Sequence, residues 1–255
     1  MRLHWLVNYN FLSFSKIDST NDEAVRISES GISGNFVILS NLQTKGKGTK
    51  GRDWESRAGD LTFSILLQNF IPVKNHFHIN FIIANVIFDV LNEIFISYNL
   101  QHKIELKWAN DIIVNNKKIG GILIKFITKG KNNFCIIGIG INILKVKSNL
   151  CNFAISLNEL GVTINKDILL DKIITRFDME IDDYISQGEK FSKIKNLWLK
   201  RAYKLGEFVH IWDGSQNISG LFSTLNNDGS IKLEISKNRF KNILFGDIYD
   251  HYLYK

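Results

Sequence analysis

The chain has almost no proline and almost no cysteine. Pro72 is the single proline among 255 residues, which excludes proline-rich linkers and polyproline segments. Cys135 and Cys151 are the two cysteines, too few for a disulfide framework, and this suits a reducing cytosol. Cys135 lies inside the apolar run FCIIGIGINI and reads as a core thiol. No apolar run reaches the roughly 18 residues that suggest a membrane span. The longest candidate, FIIANVIFDVLNEIFI at 81–96, is broken by Asn85, Asp89, Asn92 and Glu93 and reads as a buried helix. The start, MRLHWLVNYNFLSF, is interrupted by Asn8 and Asn10 and lacks the cleavage pattern of a signal peptide. His4, His76, His78, His102, His210 and His251 show no metal-ligand spacing, so no protein-bound metal is expected. Repeats and low-complexity tracts are also lacking.

The chain that remains can fold and favours anions. Its 45% hydrophobic content is enough for a sizeable core, and its length suits one large domain or one plus a small one. The formal charge of +7 favours nucleotides, nucleic acid or an acidic protein, without choosing among them.

Alternation in FLSFSKI at 11–17 predicts a strand. DSTNDEAVRISESG predicts a helix capped at Ser19 or Thr20, with acids in its first turn and Gly31 as its stop. NFVILS at 35–40 and LTFSILL at 61–67 are strands on either side of a glycine-rich loop. A long helix over 74–98 follows. IELKW, DIIVNNKKIGGILIKF and NFCIIGIGINI supply further strands, with a turn at Asn115 and Asn116, and helical patterns occupy about 155–202. Beyond that the chain changes character. GEFVHIW, NISGLFSTL, SIKLEI and ILFGDIYDHYLY are short strands at close intervals, and NNDGS at 226–230 is a hairpin turn. The expected architecture is an α/β (α+β) unit with a mixed sheet over 1–203, followed by a small five-stranded barrel over 204–255.

The loop NLQTKGKGTKGRDWESRAGD, at 41–60, packs Gly46, Gly48 and Gly51 among Lys45, Lys47, Lys50, Arg52 and Arg57. Its glycine spacing matches the dinucleotide fingerprint G-x-G-x-x-G. That fingerprint needs a helix to open at the turn, and here the glycines lead into RDWESRAGD and then a strand. The P-loop pattern fails as well, because Arg52 and Asp53 replace the required Lys and Ser/Thr. A strand-to-strand lid remains, with glycines that allow close approach, cations for phosphate and Trp54 to cover an aromatic base. From this loop alone, a lid and a solvated basic hairpin tip are equally open.

Three further stretches bear on the choice: KWANDIIVNNKKIGGILIK at 107–125, GIGINI at 138–143 and DSTN at 18–21. With the loop, they form an ordered set that resembles the biotin protein ligases. That family runs Ser-Thr-Asn, then a Gly-Arg-Gly-x-x-Gly-Arg-x-Trp loop, Lys-Trp-Pro-Asn-Asp, Lys-x-x-Gly-Ile-Leu and a Gly-x-Gly-x-Asn strand. The resemblance covers 18–142, and the tail is similar to the family's SH3-like C-terminal domain. There are three departures: Ala109 for proline, Lys47 for the first loop arginine, which loses bidentate geometry, and Thr49 where arginine is common.

The resemblance implies ATP-dependent attachment of biotin to a lysine of a biotin carboxyl carrier protein through biotinyl-5′-adenylate. ATP enters with Mg²⁺ and biotin is the other substrate. Lys118 would be the central cation, where a solvated hairpin lysine is the plain alternative. Lys117, on the opposite strand face, is its control. Arg52, Lys47 and Lys50 would contact phosphates, and Trp54 would shield the adenylate. Ser19, Thr20 and Gln43 would bond the ureido ring, with Ser19 also a helix cap. Gly46 and Gly48 would line the biotin side of the lid. Gly121, Gly138 and Gly140 would leave room for the rings, or serve strand packing. Asn110 and Asp111 would lie near nucleotide and Mg²⁺, with Asp111 also orienting or deprotonating the incoming lysine. Asn142 would lie on the nucleotide side. The acceptor would be the carrier domain of acetyl-CoA carboxylase or a related carboxylase.

DSTN at residue 18 leaves no room for the winged helix of the family's larger members, so a cytoplasmic ligase without DNA or membrane partners is expected, as a monomer or side-by-side homodimer. Two other functions compete. One is a lipoate or octanoate ligase or transferase of related fold, against which the loop and tail argue. The other is a non-enzymatic nucleic-acid-binding module, marked by steep salt dependence.

Overall fold

The structure is a computed structural model that describes residues 7–69, 75–147 and 149–249. Pro72, the helix start expected at Lys74, His4, His251 and the end of the last expected strand lie outside the described residues.

Seven strands form the larger sheet: β1 (Tyr9–Phe14), β2 (Asn35–Ser40), β3 (Leu61–Gln68), β4 (Ile104–Lys107), β5 (Asp111–Val114), β6 (Lys117–Lys129) and β7 (Asn132–Ile141), in the order β1-β2-β3-β7-β6-β5-β4. β1 and β2 run parallel and the other neighbours antiparallel, so the sheet is mixed. The β5–β6 turn places Asn115 and Asn116 at φ 50 and 64, the double left-handed geometry that Asn tolerates. The expected strand at 11–17 is shifted to β1, and Ile17 instead bridges Gln43 in the next loop.

Alternation divides the sheet into two faces. Val37, Leu39, Phe63, Ile65, Leu67, Cys135, Ile137 and Ile139 face the main core, which α2 (His78–Ser97) fills. This helix is apolar on nearly every side, as a buried helix is. It is long and apolar enough to cross a bilayer, yet 67% of its apolar window is buried in the molecule. α3 (Lys166–Ser186) and α4 (Phe191–Lys200) pack beside it. They correct the continuous helical reading of 155–202. Residues 155–157 are pinned to the sheet instead, with Ile155 N–H donating to the Lys118 carbonyl (3.0 Å) and Leu157 N–H to that of Asn142 (3.0 Å).

The opposite face carries Phe36, Ile38, Leu66, Phe134 and Ile136, covered by α1 (Thr20–Ser30) through Ala24 and Ile27. α1 is capped by the Ser19 side chain, which accepts from Asp22 N–H (3.3 Å), and it stops at Gly31 with φ 85. Past the start of α1 this face changes from large residues to small ones. Ser64 pairs with Gly138, which pairs with Leu123. Thr62 pairs with Gly140, which pairs with Gly121, which pairs with Asp111. The glycines of these rows, with Leu123, form the floor of a pocket.

The second sheet is antiparallel: β8 (Phe208–Trp212), β9 (Asn217–Leu225), β10 (Ile231–Ser236), β11 (Arg239–Ile243) and β12 (Asp247–Tyr249), ordered β11-β10-β9-β8-β12. Its Val209, Ile211, Phe222 and Leu233 join the main core. Trp108 Nε1 donates to the Gly229 carbonyl across the junction (3.1 Å).

Candidate active site

The loop at 41–60 folds over the small-residue floor. Its foot is fixed by Asp60, only 1% exposed, which accepts the N–H groups of Ile143 and Leu144 at 2.9 Å each and Arg57 Nε at 3.1 Å. On the other side, Lys45 N–H donates to the Asp18 carbonyl (2.8 Å). The bidentate Arg26 guanidinium grips the Asp18 carboxylate (2.8 and 2.9 Å) and holds it down at about 2. Within the loop, Trp54 N–H donates to Gly46 and Gly48 N–H to Arg52, at 2.9 and 2.7 Å. A Cβ on Gly46 would sit 2.4 Å from the Trp54 carbonyl, so this hairpin requires glycine there. Lys50 and Gly51 turn the tip at φ 57 and 73. No dinucleotide-type helix follows; a single 3₁₀ turn, Thr49–Gly51, leads to extended chain.

Beneath the lid is a cavity of about 140 Å³. Of the residues singled out in the sequence, Ser19, Thr20, Gln43, Lys47, Gly48, Arg52, Trp54, Asn110, Lys118, Gly121, Gly138 and Gly140 line it. Gly46 lies on an adjoining groove of the lid, and Lys50 points away. Asp111 reaches the site through Lys118, whose Nζ lies 2.6 Å from its carboxylate. Asn142 holds neighbouring chain, with its Nδ2 donating to the Ile155 carbonyl (3.1 Å). Lys117 turns outward to the Cys151 carbonyl (2.7 Å), on the far side of the strand from Lys118.

At the buried end, Gln43 Oε1 accepts Thr20 N–H (2.7 Å), which leaves Gln43 Nε2, beside Gly46, as a donor. The floor glycines have distinct neighbours. A Cβ on Gly138 would meet Asn21 Oδ1 at 2.4 Å, one on Gly140 would meet the Trp54 ring at 2.4 Å, and one on Gly121 would meet Lys118 Nζ at 3.3 Å. Trp54 therefore lies flat across the floor, with Lys118 Nζ 5.6 Å from its ring centroid. Its buried Nε1 has no protein acceptor.

Each cation of the site already has a carboxylate. Lys47 pairs with Asp22 (2.8 Å), Lys118 with Asp111 (2.6 Å), and Lys50 and Arg52 with Asp247 of β12 (3.1 and 3.2 Å). Asn21, Asp22, Ser64 and Asp247 were not among the site residues read from the sequence. Asn21 and Asp22 adjoin Ser19 and Thr20. Thr62 and Ser64, the polar alternates in LTFSILL, mark a sheet face that cannot be plain core. Asp247 has no local signal.

A polar recess joined by a small-residue floor to a lysine beneath a cationic lid defines a site for a ligand with a polar head and an anionic tail. The chain belongs to the biotin/lipoate A/B protein ligase family, whose model matches residues 13–142. It is 26% identical over 229 residues to the biotin–[acetyl-CoA-carboxylase] ligase of Paracoccus denitrificans, covering 86% of this chain and 92% of that one. To the bifunctional ligase/repressor BirA of Bacillus subtilis it is 26% identical, covering 91% and 71%. The biotin protein ligase of Aquifex aeolicus, solved in complex with biotin and ATP, superposes with a TM-score of 0.77 at 26% identity, over 94% of this chain and 97% of that one.

Proposed function

We propose that this protein is a biotin protein ligase that attaches biotin to a lysine of a biotin carboxyl carrier protein, using ATP. The observation that carries the reading is the continuous path from the Thr20–Gln43 recess, along Gly138, Gly140 and Gly121, to Lys118 beneath the lid. The family and its biotin-ligase relatives support it.

In the first half-reaction a biotin carboxylate oxygen bonds to the α-phosphorus of ATP. The bond from that phosphorus to the bridging oxygen breaks, and pyrophosphate leaves. Two anions must meet, so cations placed in advance stabilise the transition state. Lys118 lies between the two, aimed by Asp111. Lys47 and Arg52 would face the phosphates, Lys50 would have to leave Asp247 to reach them, and Trp54 would move from the floor to cover the adenylate. In the second half-reaction a neutral carrier lysine attacks the mixed anhydride. An amide bond forms and AMP leaves as Asp111 takes the amine proton.

Mg²⁺ would arrive on the ATP phosphates. Among the described residues no three His, Cys, Asp or Glu side chains converge to hold a metal. The donor set therefore fits an ion carried by phosphate oxygens, with Asn110 and Asp111 as protein contacts, where it would neutralise the leaving pyrophosphate. Residues 204–255 are read as the family's SH3-like barrel domain beside a catalytic domain at 1–203. Its strands form one five-stranded antiparallel sheet edged by β11 and β12, the strand number such a barrel needs. The positive charge suits an acidic carrier, and a chain with only two cysteines suits the cytoplasm.

The test is a transfer assay with a purified carrier domain and biotin, lipoate or octanoate. Biotin alone should label the carrier. Labelling by lipoate or octanoate without biotin would overturn the reading.

A further inference from the structure

We propose that Ser64, buried behind Thr20 and Asn21 of the pocket lining, is a positioning residue that fixes the direction of the Thr20 hydroxyl, so that Thr20 accepts a ligand N–H. The proposal rests on the biotin reading above.

Ser64 lies on β3 with 0% exposure, so no water decides where its proton goes. Its Oγ is 2.6 Å from Asn21 Oδ1 and 2.8 Å from Thr20 Oγ1. Thr20 Oγ1 is in turn 3.1 Å from Gln43 Oε1. These four oxygens make three close contacts, but the Ser64 and Thr20 hydroxyls supply only one proton each. One contact must therefore lack a proton.

The surroundings determine which. Asn21 Nδ2 donates to the Leu123 carbonyl (3.5 Å), so Asn21 Oδ1 faces Ser64 and can only accept. The shortest contact, Ser64 to Asn21, takes the Ser64 proton. Ser64 Oγ can then only accept from Thr20, and takes the Thr20 proton. The remaining contact is the longest, from Thr20 to Gln43, and that Gln43 oxygen already accepts Thr20 N–H at 2.7 Å. Proton order thus runs from Thr20 to Ser64 to Asn21, away from the cavity. Thr20 presents lone pairs to the ligand while Gln43 Nε2 presents a proton. An N–H beside a C=O, as in a cyclic urea, meets both.

Ser64→Ala removes the acceptor that draws the Thr20 proton inward. That proton then divides between Gln43 Oε1 and the cavity, where it opposes a ligand N–H. In biotin-dependent ATP–pyrophosphate exchange, the KM for biotin should rise about fivefold, the size of one net hydrogen bond, with the KM for ATP and kcat unchanged. Ser64→Cys keeps the volume with a weaker hydrogen-bonding group and should fall between the two; it carries the test if the alanine variant does not fold. In a Thr20→Val background, Ser64→Ala should have no further effect on the KM for biotin. An unchanged KM for biotin in folded Ser64→Ala would overturn the proposal. So would a parallel rise in the KM for ATP, or an equal effect in the Thr20→Val background, since each marks a packing role. Absence of biotin-dependent exchange in the wild type would instead overturn the biotin reading, and the proposal with it.

Discussion

Asp247 joins the lid to the second sheet. Its carboxylate lies 3.1 Å from Lys50 Nζ and 3.2 Å from Arg52 Nη2, with 27% of its side chain exposed against 34% and 50% for the two partners. Ion pairs this exposed contribute about 0.2–1 kcal/mol each, so Asp247→Asn should cost the closed, ligand-free lid roughly 1 kcal/mol. That is about a fivefold gain in the open population. Hydrogen exchange of backbone amides at 45–54 in the ligand-free protein should quicken about fivefold, while those of α2 stay unchanged. Raising the salt should quicken the wild-type lid in the same way and affect Asp247→Asn less, because two of the lid's screened pairs are already gone and Lys47–Asp22 remains. Identical lid exchange in wild type and Asp247→Asn at low salt would refute the idea that these two pairs hold the lid.

At the lid's foot, Asp60→Ala leaves the amides of Ile143 and Leu144 without their acceptor. A loss of roughly 2–4 kcal/mol is expected, seen as a fall in Tm of about 5–10 °C by calorimetry. Gly140→Ala places a methyl group where the Trp54 ring lies, 2.4 Å away. The indole must leave the floor, so tryptophan emission should shift to the red and adenylate formation should weaken at unchanged Tm. Burial lowers the His78 pKa from 6.5 to about 4, so the ring stays neutral in the fold while the unfolded chain takes up its proton below pH 6.5. The His78 contribution is therefore complete above pH 6.5 and is lost as pH falls toward 4, at up to roughly 1.4 kcal/mol per pH unit. His78→Gln should flatten that part of the stability profile measured by denaturant titration.

Much of the fold was legible where local pattern and tertiary need agree. β2 and β9 have the bounds read from the sequence, α1 begins at its Ser19 cap, and the Asn115–Asn116 turn lies where two asparagines tolerate left-handed backbone. The misses come from tertiary contacts. Apolar spacing at 155–165 resembles a helix, but the hydrogen bonds of Ile155 and Leu157 to the sheet override it. At the site, the motifs singled out Ser19, Thr20, Gln43 and Lys118, which line one cavity. They did not reveal Asp247, nearly 200 residues from the lysine it neutralises, or Ser64, whose role depends on a proton count among side chains from three segments. Glycine spacing suggested close approach of a ligand; it did not show that Gly46 and Gly48 also close the lid's own hairpin.

The most direct test of the central claim is biotin-dependent ATP–pyrophosphate exchange by wild type, Lys118→Ala and Lys117→Ala. The two lysines are adjacent, but Lys118 faces the cavity and Lys117 the Cys151 carbonyl. The account predicts exchange that requires biotin, falls at least a hundredfold in Lys118→Ala, roughly the loss of one preorganised charge contact, and survives in Lys117→Ala. Equal losses in both variants, or exchange indifferent to biotin in folded protein, would contradict it.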